Sequence, residues 1–339
     1  MKSAIVPTLL LLIVAVSGAQ KQKVAPPNTC AQHVALSADG ALLVVAGTPQ
    51  HSMMAFNTAT AIIAWTANIP PGKSPIDVLG FSPTGNRIII GYWNSSFEPR
   101  AAASGQSIPD VNVRATDGVR DMAFSRDGRL FAVLTQAAQI RVYSTSDWKE
   151  VGSIENARAT NGLALSPDGA RVAAGSISEA KIWEVQTGKP IQSIGTKGGN
   201  RPSLFMDSYE RLAQLWKVVW KVEFSADGRR LATATDGYIQ VWDAETGSKV
   251  AVVRSGGRPG TLIFSGDGKR IAWATWNGEL RIWELDTKRL VKVKIPTLFG
   301  EIAMSRDFSR AYVPDWRESV RVIEVPSGKQ LSAFRCSTQ

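Results

Sequence analysis

The sequence predicts an all-β fold, a seven-bladed β-propeller of four-stranded antiparallel blades, and three observations predict it. First, an apolar run closing on Ser and then a turn returns seven times. Examples are Leu36-Ser37-Ala38-Asp39-Gly40, Phe224-Ser225-Ala226-Asp227-Gly228 and a worn copy, Met304-Ser305-Arg306-Asp307-Phe308. Second, the repeat serines (Ser37, Ser82, Ser125, Ser166, Ser225, Ser265 and Ser305) stand at intervals of 45, 43, 41, 59, 40 and 40 residues. A period of roughly 40–45 residues means one supersecondary unit copied, with neighbouring copies sharing a core. Third, a single copy reads as four short strands joined by tight turns, which is one propeller blade.

The copy between residues 220 and 253 shows each element in order. Trp220-Lys221-Val222-Glu223-Phe224-Ser225 alternates apolar and polar residues, as a half-buried strand does. Ala226-Asp227-Gly228 is a turn, because Asp bonds its local backbone and Gly accepts positive φ. Leu231 to Thr235 makes a second strand and Asp236-Gly237 a second turn. Tyr238 to Asp243 is the third strand, Glu245-Thr246-Gly247 the third turn, and Lys249 to Val253 the fourth strand. Every blade is one continuous segment, so neither terminus lends a strand to close the ring.

The third strand carries a further signal. Trp242-Asp243, Trp183-Glu184, Trp283-Glu284 and Tyr143-Ser144 occupy equivalent places, 17 or 18 residues after the repeat serine. In this the chain resembles the WD-repeat (WD40-type) β-propellers, over about residues 31–336. Trp183, Trp242 and Trp283 are then core residues. The chain departs from the family in lacking any Gly-His pair before the first strand, and its only histidines are His33 and His51. Asp236 and Asp315 stand where the family's turn aspartate stands, without that histidine. Pro99 falls inside the expected third strand of blade 2, where it deletes a ladder donor.

Bulk properties add a compartment and a charge. Residues 1–19 read as a secretory signal: Lys2, an apolar run from Ala4 to Val16, then Ser17-Gly18-Ala19. The run is too short to span a bilayer. The expected organisation is thus a signal at 1–19, a lead at 20–31, a propeller at 32–336 and an insertion at 197–217, with a periplasmic or secreted protein as product. Losing Lys2 lowers the net charge from +10 to +9, which favours acidic partners. No membrane span remains after cleavage, nucleic acid is not an expected partner, and the expected state is a monomer. The two cysteines, Cys30 and Cys336, bracket the repeat array and align with the link joining consecutive blades, so an exported chain would close its ring with a Cys30–Cys336 disulfide.

The resemblance implies that the second-to-third-strand loops and the blade-to-blade links share one face of the disc. On that face stand Tyr92-Trp93-Asn94, Trp276-Asn277 and Trp316-Arg317, with His51 in blade 1. Turn tips do not need tryptophan to fold, and exposed aromatics beside Arg are the material of binding hot spots. The long interval inserts about 17 residues before blade 5. There Phe205, Tyr209, Leu212 and Trp216 step by 4, 3 and 4, one side of a helix that packs on the disc or meets a partner. Chemistry is poorly represented, with no metal-spaced Cys/His cluster and no phosphate-cradling Gly loop, so no catalytic residue, metal or cofactor is expected. His33 reads as a structural histidine. The leading expectation is a non-catalytic protein-binding scaffold outside the cytoplasm. The alternatives are an exported propeller enzyme (a hydrolase, lactonase or cofactor-dependent dehydrogenase) and a carbohydrate or cell-wall binder.

Overall fold

A computed structural model describes residues 33–47, 52–69, 76–93, 97–108, 118–195, 218–295, 301–315, 319–325 and 327–335. Within them, seven sheets follow one another along the chain, six of four strands and one of three, each in simple chain order. Blade 1 runs from strand His33–Leu36 to strand Ile63–Asn68, and blade 2 from Ile76–Phe81 to Phe97–Ala101. Blade 3 runs from Val119–Phe124 to Glu150–Ile154, and blade 4 from Asn161–Leu165 to Pro190–Gly195. Blade 5 runs from Lys221–Phe224 to Lys249–Arg254, and blade 6 from Pro259–Phe264 to Leu290–Lys294. Blade 7 runs from Ala303–Met304 to Gln330–Arg335. The expected seven-bladed propeller is present.

Burial follows radial position. The second strand of blade 5, Arg230–Ala234, is buried on both faces between neighbouring blades, so its apolar run does not alternate. The outermost strand, Lys249–Arg254, alternates exposed and half-exposed side chains because only one face meets protein. Trp183, Trp242 and Trp283 are 5 %, 5 % and 2 % exposed, which confirms them as core. The indole N–H of Trp242 donates to Thr233 Oγ1 at 3.0 Å, so the buried donor is satisfied.

The recurring Ser-x-Asp-Gly phrase has a single physical explanation. Ser225 Oγ donates to Asp227 Oδ1 at 2.6 Å and accepts the backbone N–H of Arg230 at 2.9 Å. Asp227 Oδ1 also accepts the N–H of Arg229 at 3.1 Å. This clasp closes the inner hairpin, and the same serine-to-aspartate bond recurs at Ser37, Ser125, Ser166, Ser265 and Ser305. The turn ends in left-handed backbone, φ 70° at Gly228, which explains the glycine. In the worn copy Phe308 takes that conformation at φ 58°, a strain of about 1–2 kcal/mol, offset by burying its ring beneath the Arg270 guanidinium.

Blades are stitched side to side. Arg171 Nη2 donates to the carbonyl of Gly228 at 2.7 Å, from blade 4 to blade 5. Arg270 Nη2 reaches Asp307 O at 3.2 Å from blade 6 to blade 7, where Thr261 Oγ1 also accepts the N–H of Ile302 at 3.1 Å. The seam between last and first blades is closed by packing. Val34, Leu43, Val45, Met54 and Phe56 of blade 1 share one core with Tyr312, Val320, Val322 and Phe334 of blade 7. The Phe56 and Phe334 rings lie 5.3 Å apart.

Among the described residues blade 2 has three strands. Its third strand forms in spite of Pro99, because Pro99 O accepts the N–H of Ile108 at 2.9 Å on the outer edge. N–H and C=O of one strand residue point the same way, so the missing donor also faces outward. Among the described residues a short stretch around Ser107, bridged to Arg100, follows that edge. The expected helix at 197–217, the lead at 20–31, the signal at 1–19 and the cysteine pair Cys30–Cys336 lie outside the described residues, and no helix occurs within them.

The clasp makes a direct prediction. Ser225→Ala removes the buried hydroxyl that joins the exposed Asp227 carboxylate to the Arg230 N–H, and should cost about 1–3 kcal/mol. It should appear as a lower urea midpoint with an unchanged slope. An unshifted midpoint would show that the serine is dispensable.

Candidate functional site

Two groups of functional side chains emerge, one on the loop face and one in the central channel. On the loop face, Trp276 is 49 % and Trp93 48 % exposed. Trp276 closes the turn after the second strand of blade 6, its N–H donating to Arg258 O at 3.2 Å. Its indole lies over Gly260, where a side chain would press on Nε1 at 3.2 Å. The Arg258 guanidinium carbon stands 3.7 Å from the centroid of Trp220 and 5.2 Å from that of Trp276, between the two rings. Trp220 in turn donates its indole N–H to Asp236 Oδ1 at 3.0 Å. Burial raises the Asp236 carboxyl, while the Trp220 bond and Arg258 act to lower it. Asp236 therefore serves a tryptophan where the family pattern calls for a histidine, and Asp315 likewise accepts Arg321 Nε at 2.8 Å.

The predicted loop residues divide into four groups. Trp93 and Trp276 are exposed as expected. Asn277 shapes its own turn, accepting from Thr275 Oγ1 and donating to Gly256 O at 3.4 Å. Tyr92 is a correction: it ends the second strand of blade 2 fully buried, its hydroxyl donating to Glu98 Oε2 at 2.9 Å. One residue of strand alternation separates it from exposed Trp93. Burial and the Glu98 carboxylate push the Tyr92 phenol up. His51, Trp216, Trp316 and Arg317 lie outside the described residues. Sequence reasoning missed Trp220 and Arg258, because they come from different blades and no local pattern links them.

Of the channel group the sequence singled out His33 alone, and the rest was missed. His33, Asp77, Asp121, Lys221 and Glu223 sit on inner strands of blades 1, 2, 3 and 5, and Glu301 enters blade 7. Lys221 Nζ lies 2.5 Å from Glu301 Oε1 and 3.8 Å from Asp121 Oδ2, so one ammonium ties blade 5 to blades 3 and 7. Burial acts to lower the Lys221 pKa, yet the Asp121 and Glu301 carboxylates outweigh it and hold the ammonium charged. Burial lowers the His33 pKa. It pushes Asp77 up to about 7, with Asp121 and Glu301 adding to the effect. Glu223 is pushed up to about 8 by burial and then by Asp121. Lys221 keeps 26 % and Glu301 43 % of its side chain accessible, so solvent reaches the channel and screens these charges. Among the described residues no group of three or more His, Cys, Asp or Glu is arranged to hold a metal ion, and no helix is long and apolar enough to cross a membrane.

Seven sheets in a ring, the clasped hairpin and the aromatic-plus-acid third strand define the chain as a seven-bladed β-propeller that resembles the WD-repeat proteins. The family described as "WD domain, G-beta repeat" matches residues 214–243, the repeat of blade 5. Among curated proteins the chain is similar to eukaryotic translation initiation factor 3 subunit I of Drosophila virilis and of Drosophila yakuba. Each is 25 % identical over 182 residues, covering 52 % of this chain and 54 % of the relative. The chain thus spans about half the length of the curated relatives it matches. Among solved structures, a chain of the mitotic checkpoint complex superposes with a TM-score of 0.68 at 18 % identity, covering 89 % of this chain and 90 % of that one. The β-propeller domain of Cps50 from Myceliophteria thermophila gives 0.63 at 15 % identity, covering 80 % and 89 %. These structures show the fold.

The expected location is corrected by the same comparison. The relatives are subunits of a translation initiation factor, a cytoplasmic protein, and this overturns the periplasmic or secreted placement. The Cys30–Cys336 closure rested on an oxidising compartment, since the cytosol keeps thiols reduced. Among the described residues an apolar seam joins blades 1 and 7, and both cysteines lie outside them.

The channel predicts a pH dependence. A carboxyl whose folded pKa exceeds its unfolded value of about 4 contributes stability below that value and loses it as pH rises through the folded pKa. Asp77 and Glu223 place that loss at about 7 and about 8. Replacing both, Asp77→Asn with Glu223→Gln, should flatten the fall of Tm between about pH 5 and pH 9. An identical slope in the double variant would exclude these two groups as its source.

Proposed function

We propose that the protein is a non-catalytic interaction scaffold, a subunit-like platform in a multi-protein complex, that holds its partner on the loop face of the propeller. The observation that carries this reading is the pair Trp93 and Trp276, two large aromatic side chains each about half exposed at the ends of rigid strands. Exposing an indole forgoes the stabilisation that burial would give it. Trp276 is held in place, with Arg258 against it and Gly260 beneath it. A fixed aromatic beside a guanidinium loses little freedom on binding, which is how hot spots gain affinity.

The comparisons support the same reading at a coarser level. One structural neighbour is a chain of a complex, and the curated relatives are named as subunits of a multi-subunit factor. His51, Trp216, Trp316 and Arg317 belong to the proposed face by their places in the repeat, as does the insertion at 197–217 within a propeller domain of 32–336.

The test is co-purification of tagged full-length chain from its native cells, followed by mass spectrometry. Trp93→Ala combined with Trp276→Ala should lose the principal partner, since hot-spot truncations cost about 2 kcal/mol or more each. Tm should stay within a few degrees of the unmodified protein, because neither ring is core. Undiminished recovery of the partner would remove this face from consideration.

A further inference from the structure

Six of the seven hairpin turns carry an aspartate two residues after the repeat serine, and blade 2 alone carries Thr84 there. Its serine, Ser82, meets Thr84 Oγ1 at 3.1 Å and Asn86 Oδ1 at 3.2 Å, so neutral groups replace the carboxylate. Beside this turn, between blades 2 and 3, lies a cavity of about 150 Å³. It opens at the turn end of the strands, opposite the tryptophan loops, and does not depend on the function proposed for them.

The cavity is lined by Thr84, Asn86, Arg87, Thr145, Ser146 and Trp148 among others. Arg87 Nη1 donates to the carbonyl of Thr145, and its guanidinium carbon lies 5.3 Å from the Trp148 ring centroid. These contacts fix the guanidinium while engaging one of its five donors. Its counterparts in blades 4 and 6 instead reach the next blade's turn, at Gly228 O and Asp307 O. Asn86 Oδ1 accepts from Thr84 Oγ1 at 2.7 Å, which turns its NH₂ away from the turn. Ser146 Oγ adds a hydroxyl, paired with Ser144 Oγ at 2.8 Å. Two neighbouring carboxylates are already held: Asp127 by Ser125 and by Arg129 at 2.6 Å, and Asp147 by Lys149 at 3.4 Å.

We propose that this cavity binds a phosphate group, free or carried on a phosphorylated side chain, with Arg87 as the cation and Asn86 and Ser146 as neutral donors. Charge-assisted bonds from a fixed guanidinium to a phosphate are among the strong ones. The volume is below the roughly 300 Å³ typical of organic-ligand pockets and suits a single tetrahedral anion. The missing turn carboxylate matters most, because an aspartate at position 84 would repel that anion.

The test is isothermal titration of the full chain with sodium phosphate, O-phosphoserine and a phosphoserine tripeptide, at constant ionic strength with sodium chloride as control. Saturable binding at one site is expected for at least one phosphate probe and not for chloride. Thr84→Asp restores the residue used by the other six turns, so it should leave Tm equal or higher while weakening binding at least tenfold. Arg87→Gln should weaken it similarly. Tighter binding of the tripeptide than of phosphate names a phosphoprotein as the source, and the reverse order names the free anion. Heats no different from chloride, or an affinity unchanged by Thr84→Asp, would overturn the proposal.

Discussion

A serine hydroxyl shared between an aspartate and a backbone N–H closes the inner hairpin of six blades, and the ring depends on that clasp. A two-strand ribbon alone is marginal in water and prone to slip in register. The clasp fixes the register at one end, so the strands deliver their other ends to defined places. Arginines near the clasp then reach the adjoining turn, as Arg171 and Arg270 do, and set neighbouring blades side by side. Loop tryptophans and channel charges are positioned by this chain of constraints, not by local loop structure.

The fold was legible because its determinants are local. Five of the seven hairpins carry Ser, Asp and Gly within four positions, and the third strands of blades 3 to 6 set an aromatic between blades. Continuity of the blades was legible too, and the structure supplies what the ring then requires, a seam packed from Val34, Phe56, Tyr312 and Phe334. Much of the functional geometry was not legible. Lys221 and Glu223 look in the sequence like the polar side of a half-buried strand, and only ring closure brings them to Asp121 and Glu301. Trp220, Arg258 and Trp276 meet across two blades, a contact no spacing rule encodes. Tyr92 shows the opposite error: an aromatic beside an exposed one, yet with its side chain on the buried side of the strand.

Charge is used differently at the two ends and centre of the disc. The turn aspartates are held low by serine hydroxyls and backbone N–H groups, as at Asp227 and, to about 2, at Asp307. Their stabilisation is present above the unfolded carboxyl pKa and is lost as pH falls through these depressed values. Asp77 and Glu223 titrate in the opposite sense, so together with the turn aspartates they place maximal stability in mildly acidic solution. Lys221 and Arg120 among four carboxylates leave the channel with a surplus of acid, which Asp77 and Glu223 relieve by keeping their protons. The loop face places cation and aromatic together in Arg258 and Trp276, an arrangement suited to a protein surface.

The central claim is that the propeller presents a partner-binding surface on its loop face. Hydrogen–deuterium exchange of the full chain, free and in the complex it co-purifies with, tests it most directly. The account predicts slowed exchange around residues 92–93, 256–260 and 276–278, with the clasped turn at 225–228 unchanged. Protection confined to the hairpin turns or to the outer strands, with the tryptophan loops unaffected, would contradict it.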